Sequence, residues 1–196
     1  MQEWDAQHIL HQTYPFLGKN DLALLQEHGR QQNFANKAAI IQAGSFQPEV
    51  FFILSGMVRG FFINEKGEEK NIFLRPEHTM TGPPDCLFEQ QPTKYTFEAI
   101  LETELIFWSF DSLQQLSGTH PNIAKLYIAG LTENLQTLLF RVESLVNMRP
   151  EERYEALVER SPQFFQTAFN KHIANYLGIT AVSLSRIIKR KKEQNP

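Results

Sequence analysis

Cysteine occurs once in this chain, at Cys86. A lone thiol closes no internal disulfide and cannot by itself hold zinc or an iron–sulfur cluster. Long apolar runs are missing too, since nothing approaches the ~20 residues that a membrane-spanning helix needs. The opening Met-Gln-Glu-Trp-Asp has neither the basic nor the apolar region of a signal peptide. Histidine is scarce where a metal-dependent β-roll enzyme would need it. Between residues 33 and 109 only His78 is present, so no His-x-His pair is available to begin a metal triad. Acidic pairs such as Glu68-Glu69 fall at a polar turn and read as solvated. These absences argue against a disulfide scaffold, a membrane span and a metalloenzyme. No catalytic or metal-ligating residue is assigned, no cofactor is evident, and a reducing cytoplasm is the expected location.

Phenylalanine, in contrast, is abundant, with sixteen in 196 residues. Many lie in short runs beside β-branched neighbours, which favours a β-rich core. Short apolar segments recur at 39–41, 50–54, 58–63, 71–74, 95–100 and 105–110. Turn signals separate them, at Ala43-Gly44-Ser45, Ser55-Gly56, Asn64 to Glu68 and Gly82-Pro83-Pro84-Asp85. The polar, Gly-containing stretch 64–68 predicts a hairpin loop. Strands so spaced predict an antiparallel roll or sandwich. Residues 3–30 predict two helices broken at Tyr14-Pro15, the second capped by Asn20 or Asp21 and stopping near Gly29.

After Ser109 the apolar period becomes helical. Asp111 is expected to cap a short helix ending near Gly118, and Pro121 to open a long one that runs to about Asn147. In it Ile128, Leu131, Leu135, Leu138, Val142 and Leu145 alternate spacings of three and four, an a/d seam of nearly three heptads. A second set, Tyr127, Leu139 and Val146, is expected to face the protein's own body. A helix apolar on two sides needs two partners. A homodimer across the seam is therefore favoured over burial of one wide stripe inside the monomer. Arg149-Pro150-Glu151-Glu152 predicts a further helix, with Pro at its first position and acids in its first turn. It carries Tyr154, Leu157 and Val158 and ends near Ser161-Pro162, before a loop spanning 162–169.

From Lys171 to Lys192 there are six Lys or Arg and no acid. Taking that +6 from the chain's formal −3 leaves −9 on the rest, so attraction to DNA is concentrated at one end. The same stretch predicts two short helices. Asn170 can cap the first, Ile173, Ala174 and Leu177 form its buried face, and Gly178 can take the left-handed conformation at its end. Ile179 plugs the core and Thr180 caps the second helix. Leu184, Ile187 and Ile188 turn inward or sideways. Thr180, Ala181, Val182, Ser183, Ser185, Arg186 and Lys189 are left to meet DNA, as in a helix-turn-helix. Arg186 leads for a base contact, because a guanidinium bonds the guanine edge bidentately. Ser183 and Ser185 can reach a base or a phosphate, while Lys189, Arg190, Lys191 and Lys192 are expected on phosphates. Alone, that run would read as a solvated tail.

Glu-Glu-Arg-Tyr at 151–154, Ile-Ala-Asn-Tyr-Leu-Gly-Ile-Thr at 173–180 and Ser-Leu-Ser-Arg-Ile at 183–187 resemble the Crp/Fnr family of bacterial transcription regulators, in a Bacteroidetes-type branch. The resemblance covers nearly the whole chain. It implies an α+β fold: an N-terminal antiparallel β-roll (jelly-roll-like, of the cyclic-nucleotide-binding type) with flanking helices, a long dimerisation helix and a winged helix-turn-helix. The divisions expected are a sensor at 1–119, the dimerisation helix at 120–147 and the DNA-binding domain at 148–196. Little sequence follows the recognition helix, so its wing is expected to be reduced or missing. The implied partners are a second copy, a near-palindromic double-stranded operator and RNA polymerase, with no membrane. The family's recognition helix offers Arg-Glu after the cap and an Arg further on. Here only the last is matched, by Arg186; Ala181 and Val182 stand in the other places, so the operator of the cyclic-AMP-type members is not expected.

In relatives that bind cyclic nucleotides, a Phe-Gly-Glu segment and an Arg-Thr-Ala segment clamp ribose and phosphate. The matching stretches here are 81–85 and 92–95. Gly82 is kept, Pro83 replaces the Glu, Thr93 replaces the Arg, and Lys94 would alternate to the other face of the strand. Without that Arg a cyclic phosphate would be buried unpaired. Cyclic AMP is therefore not expected. The pocket at Gly82, Pro83, Thr93 and Lys94 is left to a small-molecule effector of unknown chemistry, or to none. Cys86 cannot supply the cluster of the oxygen-sensing branch and reads as a small buried thiol. His78 and His120 read as surface residues, not haem ligands. The function expected is a dimeric sequence-specific regulator. The alternative is an effector-binding or protein-interaction module whose helix-turn-helix no longer reads DNA.

Overall fold

A computed structural model describes residues 3–167 and 170–194. The described strands are β1 (Arg30–Phe34), β2 (Ala39–Ile41), β3 (Glu49–Ser55), β4 (Met57–Ile63), β5 (Glu69–Pro76), β6 (Met80–Thr81), β7 (Thr96–Ala99) and β8 (Thr103–Ser109). They form two antiparallel sheets, ordered β1-β8-β3-β6 and β2-β7-β4-β5. Along β3 and β8, Phe51, Ile53, Leu105 and Phe107 enter the core between the sheets, while Val50, Phe52, Leu54, Ile106 and Trp108 enter a second core under the helices. Burial on both faces explains why these two strands read as unbroken apolar runs. The 64–68 stretch is the expected hairpin, closed by Asn64 N–H donating to Glu68 O at 3.0 Å. Two strands escaped the apolar pattern. β1 is almost entirely exposed and polar, held by its pairing to β8, and β6 is only two residues long.

Helices α1 (Glu3–Thr13), α2 (Lys19–Glu27), α3 (Phe110–Thr119) and α4 (Pro121–Asn147) cover the outer face of the first sheet. Trp108 anchors α2 through Nε1, which donates to Leu25 O at 2.7 Å. Two caps differ from expectation. α2 starts earlier, with Gly18 as its cap, and Asp21 in its first turn accepts the Gly18 N–H at 2.8 Å. α3 is capped by Ser109, whose Oγ accepts the Ser112 N–H at 3.1 Å, so Asp111 falls inside the first turn.

α4 has the expected ends. Its buried side is Ile123, Leu126, Gly130 and, further on, Ser144. At Gly130 the helix lies so close to β6 that a Cβ would overlap Met80 Cε. The second apolar set is corrected here. Tyr127 packs on Phe110, but Leu139 is 51% and Val146 75% exposed. At 100° per residue, Leu139 lies about 180° from Gly130, on the side turned away from the roll.

Beyond α4 come α5 (Pro150–Arg160), α6 (Gln163–Thr167), α7 (Asn170–Tyr176) and α8 (Ala181–Gln194). α6 lies in the stretch expected to be a loop, with Phe164 as its buried anchor; residues 168 and 169 of that stretch lie outside the described residues. Leu157, Phe164, Ile173, Ala174, Leu177 and Leu184 share one cluster with Met57, Leu74 and Ile100 of the roll. The apolar core is thus continuous across residue 147.

Candidate nucleic-acid interface and effector cavity

The turn between α7 and α8 has the chemistry its letters suggest. Gly178 sits at φ +70°, and the Ile179 N–H donates to Ala174 O at 2.9 Å, closing the end of α7. Thr180 Oγ1 accepts the Ser183 N–H at 3.1 Å, capping α8. Leu184 and Ile187 are buried. The opposite side of α8 presents Ala181, Val182, Ser185, Arg186 and Lys189 to solvent, with Thr180 exposed beside them and Ser183 half-buried. Ser185 Oγ donates to Ala181 O at 3.0 Å, so as placed it can accept but not donate a further bond. Among the described residues Arg186 has no hydrogen-bond or ion-pair partner, and its donors remain free.

The basic end is less uniform than its sequence suggests. Arg190 pairs with Glu151 and Lys191 with Glu155, both on α5. Lys189 stands 4.0 Å from Glu193 on its own helix. Half of the cations expected on phosphates therefore tie α8 to α5. Sequence spacing could not reveal this, because the partners lie some 40 residues upstream.

α7 is docked on the roll. Asn175 Oδ1 accepts the Asn71 N–H and Asn175 Nδ2 donates to Glu69 O, both at 2.7 Å, while Asn71 Nδ2 donates to His172 O at 3.0 Å. Behind Asn71 the buried Arg59 bonds Glu98 at 2.8 Å and Glu69 at 2.6 Å. Burial alone would lower the Arg59 pKa, but those two carboxylates outweigh it and raise it. His172 is buried at this seam. Burial, then the Arg59 and Lys171 cations, depress its pKa to about 4, against an opposing pull from Glu69. Tyr176 is buried nearby with the Arg141 guanidinium 4.4 Å from its ring centre; burial raises its pKa, opposed by Arg141 and Arg75.

At the stretches expected to correspond to the cyclic-phosphate clamp, an internal carboxylate is seated. Asp85 is buried at the start of a short wide-pitched turn, Asp85–Glu89. Its Oδ2 accepts the Lys94 N–H at 2.9 Å and the Thr93 hydroxyl at 3.4 Å. Thr93 is buried, whereas the Lys94 side chain is exposed, its Nζ 5.2 Å from the Tyr95 ring centre. Cys86 is buried, with Sγ 3.7 Å from Ser45 O.

Beside this cassette lies a cavity of about 220 Å³ between the roll and α4. Phe73, Met80, Leu87 and Phe88 line the roll side, and Leu131, Leu135 and Leu138 the helix side. Gly82 lines it; Pro83, Thr93 and Lys94 do not. Its main polar wall residue, Asn134, is committed, donating to Met80 O and Gly130 O at 2.7 Å and accepting from Arg75. Arg75 is itself buried, which lowers its pKa against the pull of Glu133. Along the rest of the seam, Ile128, Leu131, Leu135, Val142 and Leu145 are 40–60% exposed, and Leu138 is half-buried against the inter-sheet core. Among the described residues no group of three or more His, Cys, Asp or Glu could hold a metal ion. None of their helices is long and apolar enough to cross a membrane.

The architecture has known counterparts. Residues 31–120 match the cyclic nucleotide-binding domain family. The fumarate and nitrate reduction regulatory protein of Yersinia pestis is 25% identical over 178 residues, spanning 85% of this chain and 70% of its own. The anaerobic regulatory protein of Aggregatibacter actinomycetemcomitans is 25% identical over 82% of this chain, which spans 66% of that relative's length. In structure, FixK2 of Bradyrhizobium japonicum superposes with a TM-score of 0.72 at 17% identity, over 85% of each chain. Over most of its length the chain is therefore similar in sequence to these regulatory proteins, and it shares the fold of FixK2.

Proposed function

We propose that the protein is a dimeric, sequence-specific DNA-binding transcription regulator whose signal is not cyclic AMP. The observation that carries the reading is α8. It is capped by Thr180 and anchored by Leu184 and Ile187, and it keeps an open outer face on which Arg186 has no partner among the described residues. A guanidinium so placed suits the guanine edge. The exposed apolar seam of α4 supports pairing with a second copy, since contiguous exposed leucines on one helix face are unfavourable in water. Two paired heads require a near-palindromic operator with half-sites one helical turn apart. Such a regulator works in the cytoplasm and engages RNA polymerase as a further partner.

Two features support a signal other than cyclic AMP. The amide and hydroxyl of the former cassette are already satisfied by Asp85, and a second anion beside that carboxylate would be repelled. The neighbouring cavity is walled by apolar side chains, which suits an apolar effector pressed against α4.

Selection from random duplexes tests the DNA reading. A near-palindrome should emerge, Arg186→Ala should relax base preference within it, and Lys189→Ala should weaken all sequences equally. No enriched sequence from the intact protein refutes it. Calorimetric titration with cyclic AMP should give no saturable heat.

A further inference from the structure

A groove of about 390 Å³ runs between the start of α5 and the side of α8, and Arg149, Arg186 and Arg190 all line it, with Ser183 at its edge. These cations are not equivalent. Arg190 is held by Glu151 across the groove. Arg186 belongs to the outward face of α8. Arg149, whose side chain is 82% exposed, comes from the other wall, outside the helix-turn-helix itself. Its Nε and Nη2 both donate to Glu152 Oε1. A guanidinium has five N–H donors in a rigid fork, so Nη1 and the second Nη2 hydrogen stay available while Glu152 fixes the plane.

We infer that this groove seats a backbone phosphate of double-stranded DNA, with Arg149 as its donor, so that the DNA footprint extends beyond α8 to the residue that caps α5. The inference rests on the DNA-binding reading and assigns a contact which that reading does not contain. It also accounts for the division of charge at the basic end. Arg190 and Lys191 brace α8 against α5, and that bracing holds Arg149 at a fixed distance from the reading face. A phosphate contact carries no sequence information; it sets register and adds salt-dependent affinity.

The test is the salt dependence of binding by the full chain, on its selected operator and on a random duplex. Arg149→Gln should lower affinity for both by the same factor and flatten the slope of log K against log salt by about 0.9 for each head engaged. Glu152→Gln, which removes the orienting carboxylate but keeps the cation, should leave the slope at its wild-type value or steeper. If Arg149→Gln keeps the full wild-type slope, or loses affinity only for the operator, the phosphate seat is wrong while the DNA reading stands. If the wild type binds no duplex at all, both fall. Inorganic phosphate at matched ionic strength should not raise the thermal midpoint. A rise that Arg149→Gln abolishes would make the groove a free-anion site and overturn the assignment to DNA.

Discussion

The carboxamide of Asn175 meets the backbone of Asn71 as a neighbouring strand would. Its Oδ1 accepts the Asn71 N–H and its Nδ2 donates to Glu69 O, both at 2.7 Å, while β5 is the edge strand of its sheet. One side chain thus covers part of an open edge, which is otherwise a template for unwanted pairing. Asn175→Ala should cost about 1–3 kcal/mol, because two backbone groups at a partly buried seam lose their partner. Amide exchange at Asn71 should accelerate more than at the inner strands; unchanged protection there would refute the edge-capping role.

Protonation of His172 opposes the docking of α7. Its folded pKa of about 4 lies below the ordinary 6.5, so between those values the unfolded chain binds more protons and stability rises with pH. The contribution is fully present above about pH 6.5 and is lost as pH falls toward 4, to a limit of about 3 kcal/mol. Denaturant midpoints taken from pH 7 to pH 4 should fall, and His172→Gln should flatten that part of the profile. A profile identical to the wild type would contradict this assignment.

Gly130 and Met80 should be energetically coupled. A side chain at 130 displaces Met80 from the floor of the cavity, and overpacking of this kind costs about 1–3 kcal/mol for Gly130→Leu. Met80→Ala makes room, so the double variant should lose less stability than the two single losses combined, by at least 0.5 kcal/mol or so. Simple additivity in urea unfolding would show that α4 can shift away from β6.

Leu135→Lys tests the seam. Leu135 is 57% exposed, so a single chain should tolerate the change, whereas two facing lysines at a coiled-coil position repel. Sedimentation should show a monomer whose far-UV spectrum is unchanged, with operator affinity reduced at least tenfold. A stable dimer of this variant would place the interface elsewhere.

The legible parts of the molecule were those set by local pattern. Alternating threes and fours and an N1 proline marked α4 from Pro121 to Asn147, and Gly178 and Thr180 marked the turn before α8, because caps and periods are written within a few residues. Partners brought together by the fold were not legible. Nothing near Arg190 or Lys191 suggests Glu151 and Glu155 as their counterions, and nothing near Thr93 suggests that Asp85 takes its hydroxyl. β1 was invisible because it is held by β8 and not by any apolar stripe of its own. Leu139 and Val146 are a related case: apolar residues beside a helical seam suggest burial in the monomer, but the roll meets α4 on the opposite side.

The cluster that joins Phe164, Ile173 and Leu177 to Met57, Leu74 and Ile100 bears on how such proteins can be recombined. The segment after residue 147, cut free and grafted onto a foreign roll, would leave the apolar floor of its own core behind, with Tyr176 and Asn175 facing water. Exchanging a few outward residues of α8 should therefore leave the fold intact, whereas exchanging the segment whole should not, since in this chain the roll supplies part of the core on which the C-terminal helices fold.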